Sequence, residues 1–357
     1  MLYFTRWRAL AVILIALAAC LVAVSVVFPE AQVTAWPAWA QRRLMLALGP
    51  QGGSTLLLEV DSGYVKKSML DQIRADVRQV LRDARIAYQG LAAKADSVEV
   101  KITKDSEVQT ALGKLQVLSR PVGSKAAHSL EIADTGAGLI QITVSQTAMT
   151  ERMRQTVEQS IQIVERRVGE FGAATPVIQR QGANRMLVEL PGVQDPSPLK
   201  DLLGKTARLE FRMIDTSVTP DQARQGITPP ESELLLSSAS PKRPYVVKKQ
   251  VLVSGGDVSD AQPGFDQRSG EAVVSFRFNT SGSRKFAMAT TENVGQPFAM
   301  VLDNEVISAP IIREPIIGGS GQISGNFTPR QANDLAILLR AGALPAPLTV
   351  IDERSNI

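Results

Sequence analysis

Cysteine and histidine are nearly absent, with Cys20 and His128 each alone of its kind in 357 residues. One cysteine excludes an intrachain disulfide, and one of each type leaves no Cys/His set for a structural zinc. A Ser/His/Asp site would have to use His128, which lies in a polar stretch near Lys125, and the chain has no nucleophile-elbow pattern. A charge bias is also missing. The 39 basic and 35 acidic side chains leave a net +4, with no basic stripe of the kind that follows nucleic acid. Aromatics make up only 5%, and a strand such as Leu209-Glu210-Phe211-Arg212 supplies one, too few for an RNA-stacking sheet. Gly204-Lys205-Thr206 ends like a phosphate loop, but residue 199 is Leu where that motif needs glycine, and a strand follows where a helix is required. Gly52-Gly53 lacks the third glycine and preceding strand of a dinucleotide fold and reads as a tight turn. Carboxylates are scattered over helix starts and strand faces with no acid/base couple. The expectation is a protein without metal, cofactor or nucleic acid, and without enzymatic activity.

Only one apolar run is long. Ala9–Phe28 carries no charge, and at about 1.5 Å per residue a helix there spans roughly the 30 Å of a hydrocarbon core. Arg6 and Arg8 before it, with Trp36 and Trp39 after it, predict a cytoplasmic tail over 1–8 and a body on the far side, although Arg42 and Arg43 pull the other way. Two other readings stay open. A signal peptide would be cleaved near Ala38-Trp39-Ala40, and Leu17-Ala18-Ala19-Cys20 resembles a lipoprotein box that would lipidate Cys20. All three deliver the bulk of the chain across a membrane.

Past a linker over 29–53, strands alternate with amphipathic helices. Thr55–Val60 reads as a buried strand, Asp61 and Ser62 as a cap, and Val65, Met69, Ile73, Val77 and Val80 as one face of a helix running to Gly90. Strands are expected at Val98–Ile102, Leu130–Ile132 and Ile140–Val144, with a short helix near Val108–Leu118. Met153, Val157, Ile161, Val164, Val168 and Phe171 then form a continuous stripe on a helix capped by Thr150 and ended by Gly172. A hairpin follows from Thr175–Gln181 to Arg185–Leu190, then a helix over Asp195–Gly204 and an alternating strand over Ala207–Met213. Taken with the strand at Ile140, the order β-α-β-β-α-β predicts a ferredoxin-like base, with Ser54–Val144 as a looser pseudo-repeat. From Thr216 through Pro244 the composition turns to Ser, Pro and Gly, marking a boundary. A second unit is expected to hold strands at Tyr245–Val253, Ala272–Phe278, Phe298–Leu302 and Glu305–Ile307, a helix over Ser283–Val294, and a flexible loop at Gly318-Gly319-Ser320-Gly321. Thr328 caps a last helix through Leu339, and Leu348–Ile351 is a strand returning to the first unit.

Several blocks together resemble the SecD family. They are Gly52-Gly53-Ser54 with Leu56–Val60, Ile163–Val168, Leu187–Gly192, Phe286–Pro310, Gly318–Gly325 and Leu338–Pro347. The resemblance covers nearly the whole chain and implies an α+β protein of the bacterial inner membrane: a single N-terminal transmembrane helix, a periplasmic base over 54–215 and 328–357, and an inserted smaller α+β head over 216–327. It implies an accessory subunit of the Sec preprotein translocase, with SecF, the SecYEG channel and unfolded secretory polypeptide as partners, and a head that holds emerging chain. Phe298, Ile311, Ile312, Ile316 and Ile317 are the candidate polypeptide-binding side chains, Thr216 and Phe327 the candidate hinges, and Gly52 and Gly53 the base motif. The family's motif aspartate is replaced by Gly49, and Ala9–Phe28 holds no ionisable residue with which to conduct protons. A non-functional remnant or a purely structural module is the alternative reading.

Overall fold

The computed structural model describes residues 53–119, 121–122, 127–172 and 176–356. The expected span Ala9–Phe28, Cys20, Gly49 and Gly52 lie outside them. Among the described residues no helix is long and apolar enough to cross a membrane.

β1 (Gly53–Val60) turns Leu56, Leu58 and Val60 inward on alternate residues. The Asp61 carboxylate accepts from the Tyr64 N–H and caps α1 (Ser62–Asp83). The helix ends well before Gly90, because Arg85 adopts φ 55 and the chain turns into β2 (Tyr88–Ala93). After β3 (Ser97–Ile102) come α2 (Val108–Gln116), the two-residue strands β4 (Pro121–Val122) and β5 (Ala127–His128), then β6 (Leu130–Asp134) and β7 (Leu139–Val144). These strands form a sheet of order β2-β3-β7-β6, whose core of Val98, Val100, Ile140 and Ile142 packs under Leu70, Ile73, Val77 and Leu81 of α1 and Ala111 and Leu115 of α2.

α3 (Gln146–Glu170) starts one turn earlier than the sequence suggested. Ser145 Oγ accepts from the Ala148 N–H, while the Thr150 hydroxyl lies inside the helix and donates to the Gln146 carbonyl. Its stripe packs as predicted, with Met153, Val157, Val164 and Val168 buried and Ile161 and Phe171 half-buried. β8 (Val177–Gln181), β9 (Arg185–Pro191) and α4 (Ser197–Gly204) follow.

The chain order β-α-β-β-α-β is present, but it runs through other strands than those expected. One sheet has the order β18-β1-β9-β8, all antiparallel, where β18 is Leu348–Asn356. Its first strand is therefore β1 and its fourth is β18. The strands at Ile140 and Leu209 belong to two other sheets. One insertion separates β1 from α3, and a larger one separates α4 from β18.

The larger insertion begins with β10 (Leu209–Ile214), which closes a five-stranded barrel with β11 (Ser232–Ser237), β12 (Pro244–Ser254), β15 (Phe298–Leu302) and β16 (Glu305–Ser308). The expected boundary stretch thus contains α5 (Pro220–Arg224) and β11. Beside the barrel, β13 (Val258–Phe265), β14 (Ala272–Phe278) and β17 (Ser320–Phe327) form a three-stranded sheet, and α6 (Thr280–Glu292) and α7 (Pro329–Ala341) complete the body. A cluster of phenylalanines, Phe211, Phe276, Phe278, Phe286 and Phe298, joins barrel, sheet and α6, with ring centroids 5.1 to 6.3 Å apart. A smaller core drawn from all five barrel strands, among them Ile214, Leu235, Val247, Val301 and Val306, fills the barrel itself. On the Ile214 side of β10, Glu210 and Arg212 are buried rather than exposed, and Arg212 bridges Glu210 and Glu233. Pairing is what permits those charges to be buried.

Candidate functional site

Among the described residues no group of His, Cys, Asp or Glu could hold a metal ion. His128 is exposed in β5, where its backbone pairs with Pro121. The carboxylates with displaced pKa values serve the fold. Burial would raise Asp257, but hydrogen bonds from Lys285 and Ser254 outweigh it and hold the carboxyl below its usual range. Asp215 is likewise held low by the Ser217 and Ser232 hydroxyls.

The candidate apolar residues divide by burial. Phe298 belongs to the phenylalanine cluster, Ile312 is also core, and Ile316 is half-buried against the same core. None of these three can present a full side chain to a partner. Ile311 and Ile317 can, at 61% and 77% exposed. Both lie on the irregular stretch 309–319, which joins β16 to β17. That stretch is held along the end of α6. Gly295 N–H donates to the Ile312 carbonyl at 2.7 Å, Ile312 N–H to the Gln296 carbonyl at 3.0 Å, and Ile316 N–H to Thr290 Oγ1 at 3.0 Å. Two side chains absent from the sequence expectation are also exposed, Met288 at 62% in α6 and Val294 at 47% just after it. A signal for Met288 existed. The buried face of α6 is Gly282, Phe286, Ala289 and Thr290, so Met288 is an apolar residue on the helix's polar side.

Two of the glycines read as a flexible loop, Gly319 and Gly321, sit in close-packed positions. Ser320 and Gly321 lie in β17, and a Cβ on Gly321 would come within 2.8 Å of the Phe276 ring. Gly319 has φ 63 against Ser283. In the base, a Cβ on Gly53 would sit 2.8 Å from the Leu190 carbonyl oxygen, so that position needs glycine for β1 to approach β9. Of the candidate hinges, Thr216 is exposed and irregular directly after β10, whereas Phe327 pairs with Ala272 in β17 and packs on the core.

Where the two insertion ends meet the base, Arg167 of α3 is wholly buried. It donates to the carbonyls of Leu202 at 2.7 Å, Lys205 at 2.5 Å, Thr206 at 3.2 Å and Gly342 at 3.1 Å. Burial pulls its pKa down to about 10, against a smaller upward pull from the Asp303 carboxylate, so it is charged at neutral pH. Asp303, in the β15–β16 turn, accepts from the Thr206 hydroxyl and from the N–H groups of Ala207 and Arg208. The segment 205–208 is therefore gripped from both sides.

Two family models match the chain: "SecDF, P1 head subdomain" over residues 232–346, and "Protein translocase subunit SecDF, P1 domain, N-terminal" over residues 157–216. A protein translocase subunit SecD of Acetobacter pasteurianus is 38% identical over 99% of this chain and 66% of its own length. The SecD of Rickettsia bellii is 39% identical over 87% of this chain and 58% of its own. A solved structure described as a membrane component SecDF that enhances protein export is 32% identical, covering 56% of this chain and 92% of that one, with a TM-score of 0.45. The chain spans about three-fifths to two-thirds of the length of these curated relatives. Two P1-domain matches and this level of identity along almost its entire length place the chain in the SecD family of protein translocase subunits.

Proposed function

We propose that this chain is an accessory subunit of the Sec preprotein translocase whose body contacts translocating polypeptide through Ile311, Ile317, Met288 and Val294, without enzymatic activity. The observation that carries this reading is a set of exposed aliphatic side chains, Ile311 and Ile317 on an irregular stretch held against the end of α6 and Met288 and Val294 on and just after that helix. Such a surface offers apolar contact without a shape that selects one sequence, which suits a chain in transit. In this reading Ala9–Phe28 anchors the body on the periplasmic side of the bacterial inner membrane, and SecF and the SecYEG channel are its partners. The sheet β18-β1-β9-β8 is the ferredoxin-like base. The head is the barrel, the three-stranded sheet, α6 and α7, so the joint falls at 205–208 and 342–347 rather than at Thr216 and Phe327.

A photocrosslinking amino acid placed at 311 or 317 should label a secretory chain stalled in the channel, while the same group at exposed Glu131 should not. Equal labelling from all three positions would overturn the proposal.

A further inference from the structure

We infer that the open edge of β17 over Ser320–Ser324 accepts an extended stretch of non-folded polypeptide as an added fourth strand. The inference rests on the polypeptide-contact reading and says how the chain would be held. β14 is the middle strand of its sheet, so β13 and β17 are both edges. An unpaired edge is a template for strand addition, and folded proteins blunt such edges with charge, proline, bulges or cover. The other edges among the described residues show these devices. β13 carries Asp260 and Pro263, and Arg340 of α7 donates to its Ala261 carbonyl at 2.7 Å. β18 carries Asp352, Glu353 and Arg354, with Glu353 bonded to Lys200 of α4. β8 carries Arg180, β6 carries Glu131 and Asp134, and β2 is broken in register between Gln89 and Ala92. β4 and β5 are two residues long.

β17 has none of them over its regular part. Ser320-Gly321-Gln322-Ile323-Ser324 has no charge and no proline, and its register with β14 is unbroken until the shift beyond Ser324. Its ladder bonds go to β14, and among the described residues no side chain or loop is hydrogen-bonded to the outer row of N–H and C=O groups along this stretch. β16 comes against β17 next to it, at Gly325, where a Cβ would sit 2.8 Å from the Ile307 carbonyl oxygen. Ser320, Gln322 and Ser324 are exposed, and Ile323 faces the core.

The chemistry selects the occupant. Small neutral side chains along the edge leave main-chain hydrogen bonds as the means of recognition, and every non-proline residue can supply those. A partner must therefore bring an extended backbone with unpaired groups, which a non-folded polypeptide has and a folded surface seldom does. A second copy of β17 is a poorer fit, since Ser320, Gln322 and Ser324 offer almost no apolar cross-strand contact to stabilise a five-residue pairing. The edge also follows the exposed Ile317 in the chain, which stands three residues before Ser320, and Gly319 O accepts from Phe278 N–H to fix the turn between them. Apolar side chains of a bound strand would meet Ile317 while its backbone pairs with β17.

Hydrogen exchange of the full chain, with and without a reduced and carboxymethylated secretory protein that stays unfolded, tests this. At saturating probe the outward-facing amides within Ser320–Ser324, those not already bonded to β14, should slow by about tenfold or more. The double variant Gln322→Lys/Ser324→Lys changes two exposed positions. It should lose that slowing while β14 amides exchange as in the parent and crosslinking from 311 and 317 persists. Slowing confined to 309–319 and α6 would overturn the edge and leave the contact surface standing. Slowing of β17 that depends on protein concentration without probe would mean a second copy is the occupant, which also overturns it. No crosslinking and no slowing would remove the contact reading itself.

Discussion

Replacing Arg167 by methionine removes a charge that the fold has buried without any carboxylate in direct contact. Four backbone carbonyls, those of Leu202, Lys205, Thr206 and Gly342, lose their donor together. Hydrogen bonds to a charged group contribute about 1.5–3 kcal/mol each, so the gross loss is on the order of 6–12 kcal/mol. Burying the guanidinium opposes this. Its depression to about 10 corresponds to roughly 3 kcal/mol against the charged form, which methionine recovers. Some carbonyls will also find water as the junction relaxes. The expected net loss is about 3–5 kcal/mol, in line with removal of one partner from a buried ionic site. Arg167→Lys keeps the charge but cannot reach all four acceptors and should lose about 2 kcal/mol. Arg166→Met, at the exposed neighbouring position, should stay within about 0.5 kcal/mol. Urea unfolding followed by circular dichroism reads all three. An Arg167→Met protein within 1 kcal/mol of the parent would refute the reasoning, because the four carbonyls would then not depend on the guanidinium.

Three further outcomes follow from the geometry. Asp257 has a folded pKa below its unfolded value, so its contribution is present above the unfolded value and is lost as pH falls through the folded value; Asp257→Asn should be less stable than the parent at pH 6 by about 1 kcal/mol, with the gap narrowing as pH falls through the acid range in urea titrations. Phe211→Ala empties the centre of the phenylalanine cluster and should cost about 3–5 kcal/mol in the same assay. Ile311→Ser/Ile317→Ser alters only exposed positions and should leave stability within about 0.5 kcal/mol while cutting crosslinks to a stalled chain made from a probe at Met288.

Local structure was largely legible and long-range pairing was not. The spacing of Met153, Val157, Val164 and Val168 pointed to α3, an apolar run to β1 and alternation to β3, because those patterns answer to which face is buried. β2 escaped because Gly90 reads as a helix stop, although a φ of 55 at Arg85 had already turned the chain. β17 escaped because its glycines suggest flexibility, whereas Gly321 is required by the Phe276 ring. Strand order failed for a different reason. A sequential reading joined Ile140 to Leu209 because they are nearest in the chain, and nothing in either segment states that the true sheet partners are β1 and β18. Burial of all of Leu209–Met213 could have been suspected only if the Arg212 ion pairs had been foreseen. Of the candidate contact residues, hydrophobicity alone could not separate Ile311 and Ile317 from Phe298 and Ile312, since that depends on how 309–319 is tied to α6.

The nested topology explains why Arg167 is placed where it is. The barrel and its companion elements are threaded between α4 and β18, so both chain passages into and out of them, 205–208 and 342–347, run beside the same end of α3. Any force applied to a polypeptide held on the barrel side must reach the base through those two strands of backbone or through the faces packed between α3 and α7. Arg167 ties the carbonyls of one passage to that of the other, while Asp303 in the barrel holds the N–H groups of the first. In the proposed reading, the site that would bear load is thus distinct from the surface that would meet the chain, and the two can be weakened independently. Arg167→Lys should loosen the coupling of barrel to base without reducing crosslinking from a probe at 288, whereas Ile311→Ser/Ile317→Ser should cut that crosslinking and leave the coupling intact.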